Sequence, residues 1–186
     1  MLLLGVLQAQ AAGQVAAGSF DLLETQVLTS SAASVTFSSL STYAADYQHL
    51  QIRAVSRMSF SNAERSLVMR FNADTASSYN NHGYFGSGSS VSSYYLPDTY
   101  ISIGSFAAAN ATANAFGAGV IDVLDAFETT KNTTVRSLAG TPTTPQISLR
   151  SGLWRNTAAL TSITLLDPTS NLVTGSRFSL YGIRGG

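Results

Sequence analysis

The chain has 186 residues, enough for one domain with its own core and a short arm. Hydrophobic residues make up 45% and charged residues only 11%, so the chain is not a disordered polymer, and its surface must be wetted mainly by hydroxyls and amides. Ten basic residues balance ten acidic ones with no basic stripe, which argues against nucleic-acid binding, and the lack of cysteine excludes disulfides and thiolate metal sites.

The N-terminal stretch Met1 to Leu7 is apolar, and Ala9-Gln10-Ala11 has the spacing of a signal-peptide cleavage site. No Lys or Arg precedes the run, and Arg53 is the first basic residue of the chain. A signal peptide needs a basic start and a longer apolar stretch, and a membrane span needs about 20 apolar residues. Residues 1–18 are therefore read as an arm that docks on a partner. Its exposed apolar side chains, Leu2, Leu3, Leu4, Val6 and Leu7, are the candidate contacts.

From residue 19 to 186 short β-like runs alternate with Ser, Gly, Asn and Pro clusters. The first two strands are expected at residues 25–29 and 34–38. Residues 49–57 place Leu50, Ile52 and Ala54 on one face, and residues 66–72 place Leu67, Met69 and Phe71 inward. A short strand is expected at 81–85, a turn at Leu96-Pro97-Asp98, and another strand at 100–104. The Ala- and Asn-rich stretch 106–115 has no amphipathic period and reads as a loop. Strands follow at 116–124, 133–139, 146–154, 160–166 and 177–183. In the run 146–154, Ile147, Leu149 and Leu153 share one face, and Gln146, Ser148 and Arg150 share the other. Roughly eight to ten strands at this spacing predict an all-β fold: an antiparallel two-sheet β-sandwich, jelly-roll-like, with an extended N-terminal arm.

No constellation for catalysis emerges. His49 and His82 are not at metal-ligand spacing, and no Gly-x-Ser-x-Gly elbow is present. Asp122 and Asp125 lie three apart, so they point to opposite faces of a strand, and pairing with Arg136 or Arg150 accounts for them better than glycoside hydrolysis. Asn72-Ala73-Asp74-Thr75 could open a calcium loop, but no Gly or closing Glu follows at the required places, and an Asx turn explains it better. The expectation is a protein with no catalytic, cofactor or metal site. Tyr79, Tyr84, Phe85, Tyr94, Tyr95 and Tyr100 crowd one Asn-, Ser- and Gly-rich segment, the composition of adaptable recognition surfaces. Tyr79, Tyr84, Tyr94 and Tyr95 are its candidate partner-binding residues; Trp154, beside Leu153 in a strand, is assigned to the core.

An ordered series of short segments carries a family resemblance. It begins with Leu50-Gln51-Ile52-Arg53, Met69-Arg70-Phe71-Asn72 with Asp74-Thr75 and Tyr79, and Asn110-Ala111-Thr112-Ala113-Asn114. It continues with 120–125, 134–137, Ser151-Gly152-Leu153-Trp154 and Ile163-Thr164-Leu165, and ends with Phe178-Ser179-Leu180-Tyr181-Gly182-Ile183. Together these resemble a group of phage virion structural proteins; Ala73 departs from the pattern, standing where Gly is expected. The resemblance implies a β-sandwich on the capsid surface or tail of a virion. Two functions follow as expectations. One is a capsid decoration, or cement, protein bound to the major capsid protein or other virion proteins. The other is a tail-fibre or receptor-binding module that reads host surface glycans. A glycan hydrolase lacks its carboxylates. Lys131 is the only lysine, and Glu24, Glu64 and Glu128 are the only glutamates, so strand edges lack their usual charged guards. Sister copies are expected to cover them. The trimer is the expected homo-oligomer, on the resemblance and on the threefold sites of coat lattices.

Overall fold

A computed structural model describes residues 19–142 and 146–185. The arm residues Leu2, Leu3, Leu4, Val6 and Leu7 lie outside the described residues. Twelve strands are present among those described: β1 Phe20–Val27, β2 Ser34–Phe37, β3 His49–Ser56, β4 Glu64–Phe71, β5 Tyr79–Gly86, β6 Val91–Asp98, β7 Ile101–Ala107, β8 Gly117–Leu124, β9 Thr133–Thr141, β10 Gln146–Trp154, β11 Ile163–Leu166 and β12 Arg177–Ile183. The expected all-β sandwich is what forms, and a single 3-10 turn at Leu40–Tyr43 is the only helical element described.

The large sheet runs β1-β12-β3-β8-β9-β10-β5-β6 and the small one β2-β11-β4-β7, with every neighbour antiparallel. Four strands of the large sheet, β1-β12-β3-β8, face the four of the small sheet in jelly-roll order. Two inserted hairpins, β5–β6 and β9–β10, extend the large sheet beyond β8, and β9 and β10 pack over β7, the edge strand of the small sheet.

Two strands differ from the sequence reading. β1 starts at Phe20, five residues before the expected start, because a register shift between Leu22 and Glu24 breaks its alternation. β6 was not expected: it spans Val91–Asp98, where the sequence reading gives only the Leu96-Pro97-Asp98 turn. Pro97 is tolerated within it because β6 is the outermost strand of its sheet and one side needs no ladder donor. The 106–115 stretch leaves β7 at Ala107 and is otherwise a loop. Arg57 organises it, donating to the carbonyls of Ala109, Ala111, Thr112 and Ala115 at 2.7–3.1 Å.

The core lies between the sheets. Leu50, Ile52 and Ala54 from β3 and Leu67, Met69 and Phe71 from β4 are all buried, as the alternation predicted. Val68, on the opposite face of β4, is buried as well, because the β5–β6 extension folds over that side. Trp154 packs at 5.5 Å from Phe71 and 6.5 Å from Tyr79, bridging the extension to the small sheet.

Asp74 fixes this cluster. Its carboxylate accepts the Trp154 Nε1–H at 2.7 Å, the Ala76 N–H at 2.8 Å and the Ser78 hydroxyl. That is an Asx turn with an anchor. Asn72 (φ 49°) and Ala73 (φ 56°) turn left-handed to deliver it, which is why glycine would suit position 73. Asn72 Oδ1 accepts the Thr161 and Ser162 N–H groups, stapling this turn to the start of β11.

Among the described residues four carboxylates are held below their ordinary range: Asp74, Asp125, Asp167 and the fully exposed Glu128, the last by the Thr129 and Thr130 N–H groups. Donors lower Asp74, Ser78 first and then Trp154. Lys131, then Gln48, lower Asp125. Burial pushes Asp167 up, but Ser170, the Thr169 N–H and Arg65 together outweigh it. A depressed carboxyl contributes stability that is present above its unfolded value, near 3.9, and lost as pH falls through the still lower folded value. The urea midpoint should therefore be flat from pH about 7 to 5 and fall steeply below about 4. A midpoint at pH about 3 equal to that at neutrality would contradict this assignment.

Candidate functional site

The pleat of the large sheet sends alternate residues to its two faces. In β10 the inner face carries Ser148, Arg150, Gly152 and Trp154, all buried, while Ile147 is 59% and Leu149 50% exposed. The apolar set of this strand thus faces outward. The reason lies across the interface. β7 is a sheet edge, and its backbone needs partners that a hydrocarbon surface cannot supply. Asn81 of β5 supplies two, donating from Nδ2 to the Tyr100 carbonyl at 2.9 Å and accepting the Ser102 N–H at 2.7 Å. Ser137 of β9 donates to the Ile103 carbonyl at 2.9 Å, and Arg150 donates to the Ser102 hydroxyl. Polar side chains on the inner face satisfy the edge, and the apolar ones are left outside.

The outer face that results is continuous. Leu149 is directly opposite Leu138 on β9 and Tyr84 on β5, and Leu138 is opposite Val120 on β8. One row along, Ile147 is followed by Gly140, Ala118 and Val55 on β9, β8 and β3. The small residues Gly140 and Ala118 floor a shallow depression of about 680 Å3, walled by Val55, Val120, Leu138 and Ile147. One row from Leu149 on the other side, Asp122 pairs with Arg136 at 3.1 Å and accepts from Gln51 at 2.8 Å, which gives the apolar band a polar border. An exposed apolar band rimmed by polar groups is the form of a protein interface.

The predicted site residues fall in three places. Tyr84 and Tyr95 are 52% and 67% exposed on the outer face, Tyr95 opposite His82. Tyr94 points the other way, its ring 5.5 Å from the Arg150 guanidinium. Tyr79 is a correction: it is fully buried, its hydroxyl accepts the Phe71 N–H at 3.1 Å, and burial pushes its pKa up to about 12. A ring with no exposed surface is core and not a contact. Its register partner is Trp154, so the pleat that buries one buries both. Leu138, Val120 and Ile147, which carry most of the band, are not among the residues the sequence singles out. The signal was present in β10, where the apolar alternates are matched by an equal set of polar ones, but sequence does not say which set faces in.

The groups considered for chemistry are engaged structurally. Asp122 pairs with Arg136, while Asp125, just past β8, binds Lys131 at 2.6 Å and Gln48 at 2.6 Å. Arg150 pairs with neither and lies on the opposite, inner face. Among the described residues no group of His, Asp and Glu is placed to hold a metal ion. A scan against protein-family models finds no match, and neither curated proteins nor solved structures yield one. The resemblance to phage virion proteins therefore rests on the residues quoted for it.

Proposed function

We propose that the chain is a non-enzymatic structural component of a phage virion, a capsid decoration protein that cements the coat. The observation that carries this reading is the apolar outer face of β8, β9, β10 and β5, centred on Leu138 and Leu149. Its occupant is a coat-protein surface. The low charge of the chain favours it, because few charges need to be desolvated when the face is covered. A jelly-roll sandwich is common among virion proteins, an analogy of fold that adds support without carrying the argument. Sister copies, three around a threefold site, cover the remaining strand edges.

The test is a double variant, Leu138→Asp with Leu149→Asp. Both positions are half exposed, so the isolated protein should keep its fold, losing about 1–3 kcal/mol in total because two like charges then face each other across β9 and β10. Its occupancy on particles should drop about tenfold or more, because two carboxylates would be buried against the coat. Wild-type occupancy with this variant would end the reading. Tyr84 and Tyr95, exposed together near His82, favour a second reading as a receptor-binding module that recognises host glycans. A tail location in particle images, in place of a capsid one, would select it.

A further inference from the structure

Between β4 and β7 of the small sheet and the β10-β5-β6 end of the large one lies a polar cleft of about 310 Å3. Arg150 stands in it. The residue is only 8% exposed, and among the described residues no carboxylate forms an ion pair with it. One Nη1–H reaches the Ser102 hydroxyl and the Tyr94 hydroxyl lies against the guanidinium, but Nε is buried without a hydrogen-bond partner. Burial pushes the guanidinium below its ordinary value, and Tyr94 and, through space, Glu64 oppose that push.

The other charges of the cleft have partners. Arg65 binds Asp167 at 3.2 Å, and Asp98 accepts the Thr99 N–H at 2.7 Å beside the Tyr100 ring. Arg150, Gly83 and Tyr94 are lateral neighbours on β10, β5 and β6. A Cβ at position 83 would lie 3.0 Å from Arg150 Cγ and 3.1 Å from Tyr94 Cε1. The missing side chain at Gly83 is what lets the ring and the guanidinium share one cradle. A buried cation met only by neutral hydroxyls is costly, and edge satisfaction of β7 would need only a neutral donor. The Arg150 Nε–H is left unanswered, and an anion in the cleft would supply the missing countercharge.

We infer that this cleft binds a carboxylate-bearing sugar, a uronic acid in its simplest form, with Arg150 gripping the carboxylate. The volume is at the small end of ligand sites and suits a single ring. Tyr94 and Tyr100 offer aromatic surface to the ring, and Ser66 and Asp98 offer partners to its hydroxyls. Asp98 disfavours a second negative charge, so a monoanionic carboxylate fits better than a phosphate dianion. The cleft is separate from the apolar band of β8 to β10, so this inference stands or falls independently of particle binding.

The test is an NMR titration of the full chain with glucuronate, with glucose and inorganic phosphate as comparison probes. Glucuronate should shift the backbone amide resonances of the cleft strands β5, β6 and β10 saturably, with the Arg150 Nε–H moving alongside in the wild type, and glucose and phosphate should bind about tenfold or more weakly. Arg150→Met should abolish the response while remaining folded, since an apolar residue removes the buried charge. Tyr94→Phe keeps the ring and removes only the hydroxyl beside the guanidinium, and should weaken binding severalfold without loss of fold, which keeps the test open if Arg150→Met does not fold. No saturable response to glucuronate, or an undiminished one in both variants, overturns the site. Phosphate binding as tightly as glucuronate overturns the assignment to a sugar acid.

Discussion

Trp154→Ala should be the most damaging single core substitution, lowering folding stability by about 3–5 kcal/mol. The side chain is 1% exposed and fills the space between Phe71 of β4 and Tyr79 of β5. Its removal leaves a cavity where the inserted hairpins meet the small sheet. It also takes away one of the donors that hold the Asp74 carboxylate, which burial then penalises. Trp154→Phe separates the two contributions: most of the ring volume stays, the indole N–H goes, and the loss should shrink to about 1–2 kcal/mol. Urea unfolding followed by circular dichroism measures both. A loss for Trp154→Ala below about 1 kcal/mol would mean that the cluster does not hold the extension in place.

Gly104→Ala should destabilise by about 2–4 kcal/mol, a large effect for a single methyl group. Gly104 has φ +135°, a conformation L side chains rarely adopt, and it sits at the register shift between Leu67 and Val68 where β7 bulges against β4. A Cβ there would come within 2.4 Å of the Ala139 Cβ and 2.8 Å of the Ser148 Oγ. The contact is with the inner face of the β9–β10 hairpin, so the substitution would lift that hairpin from β7. Gly88→Ala serves as the control. Gly88 also has positive φ (87°), but it lies exposed in the Ser87–Ser90 turn, so only the backbone strain is felt, about 1 kcal/mol. Equal losses for the two variants would show that the close approach of β7 to β9 carries no weight.

Strand alternation was legible wherever one face was apolar and the other was not. β3 and β4 show this, with Leu50, Ile52, Leu67 and Met69 inward as expected. Turn chemistry was legible too: Asp74 forms the Asx turn read from Asn72-Ala73-Asp74-Thr75, and Asp167 organises the 167–171 turn by accepting from Thr169 and Ser170. Two aromatic assignments separated. Trp154 was read as core and is core, whereas Tyr79 was grouped with Tyr84 and Tyr95 because composition does not reveal which side of the pleat a tyrosine takes. β6 was missed because Pro97 counts against a strand unless the strand is known to be an edge.

The sequence by itself determined the fold class: short alternating runs with turn residues between them build an all-β sandwich. It determined most strand positions, because hydrophobic period is a local property. What the tertiary structure alone decided was the direction each β10 side chain faces. Both faces of that strand are credible cores when read alone. The choice was made by β7, an edge whose backbone donors and acceptors had to be satisfied from across the interface. Asn81 and Ser137 turned inward to do so, with Arg150 on the Ser102 hydroxyl beside them, and Leu138, Ile147 and Leu149 were left on the outside. A buried backbone group costs more unpaired than an exposed leucine does, so the hydrogen bonds set the face and the apolar outer band followed.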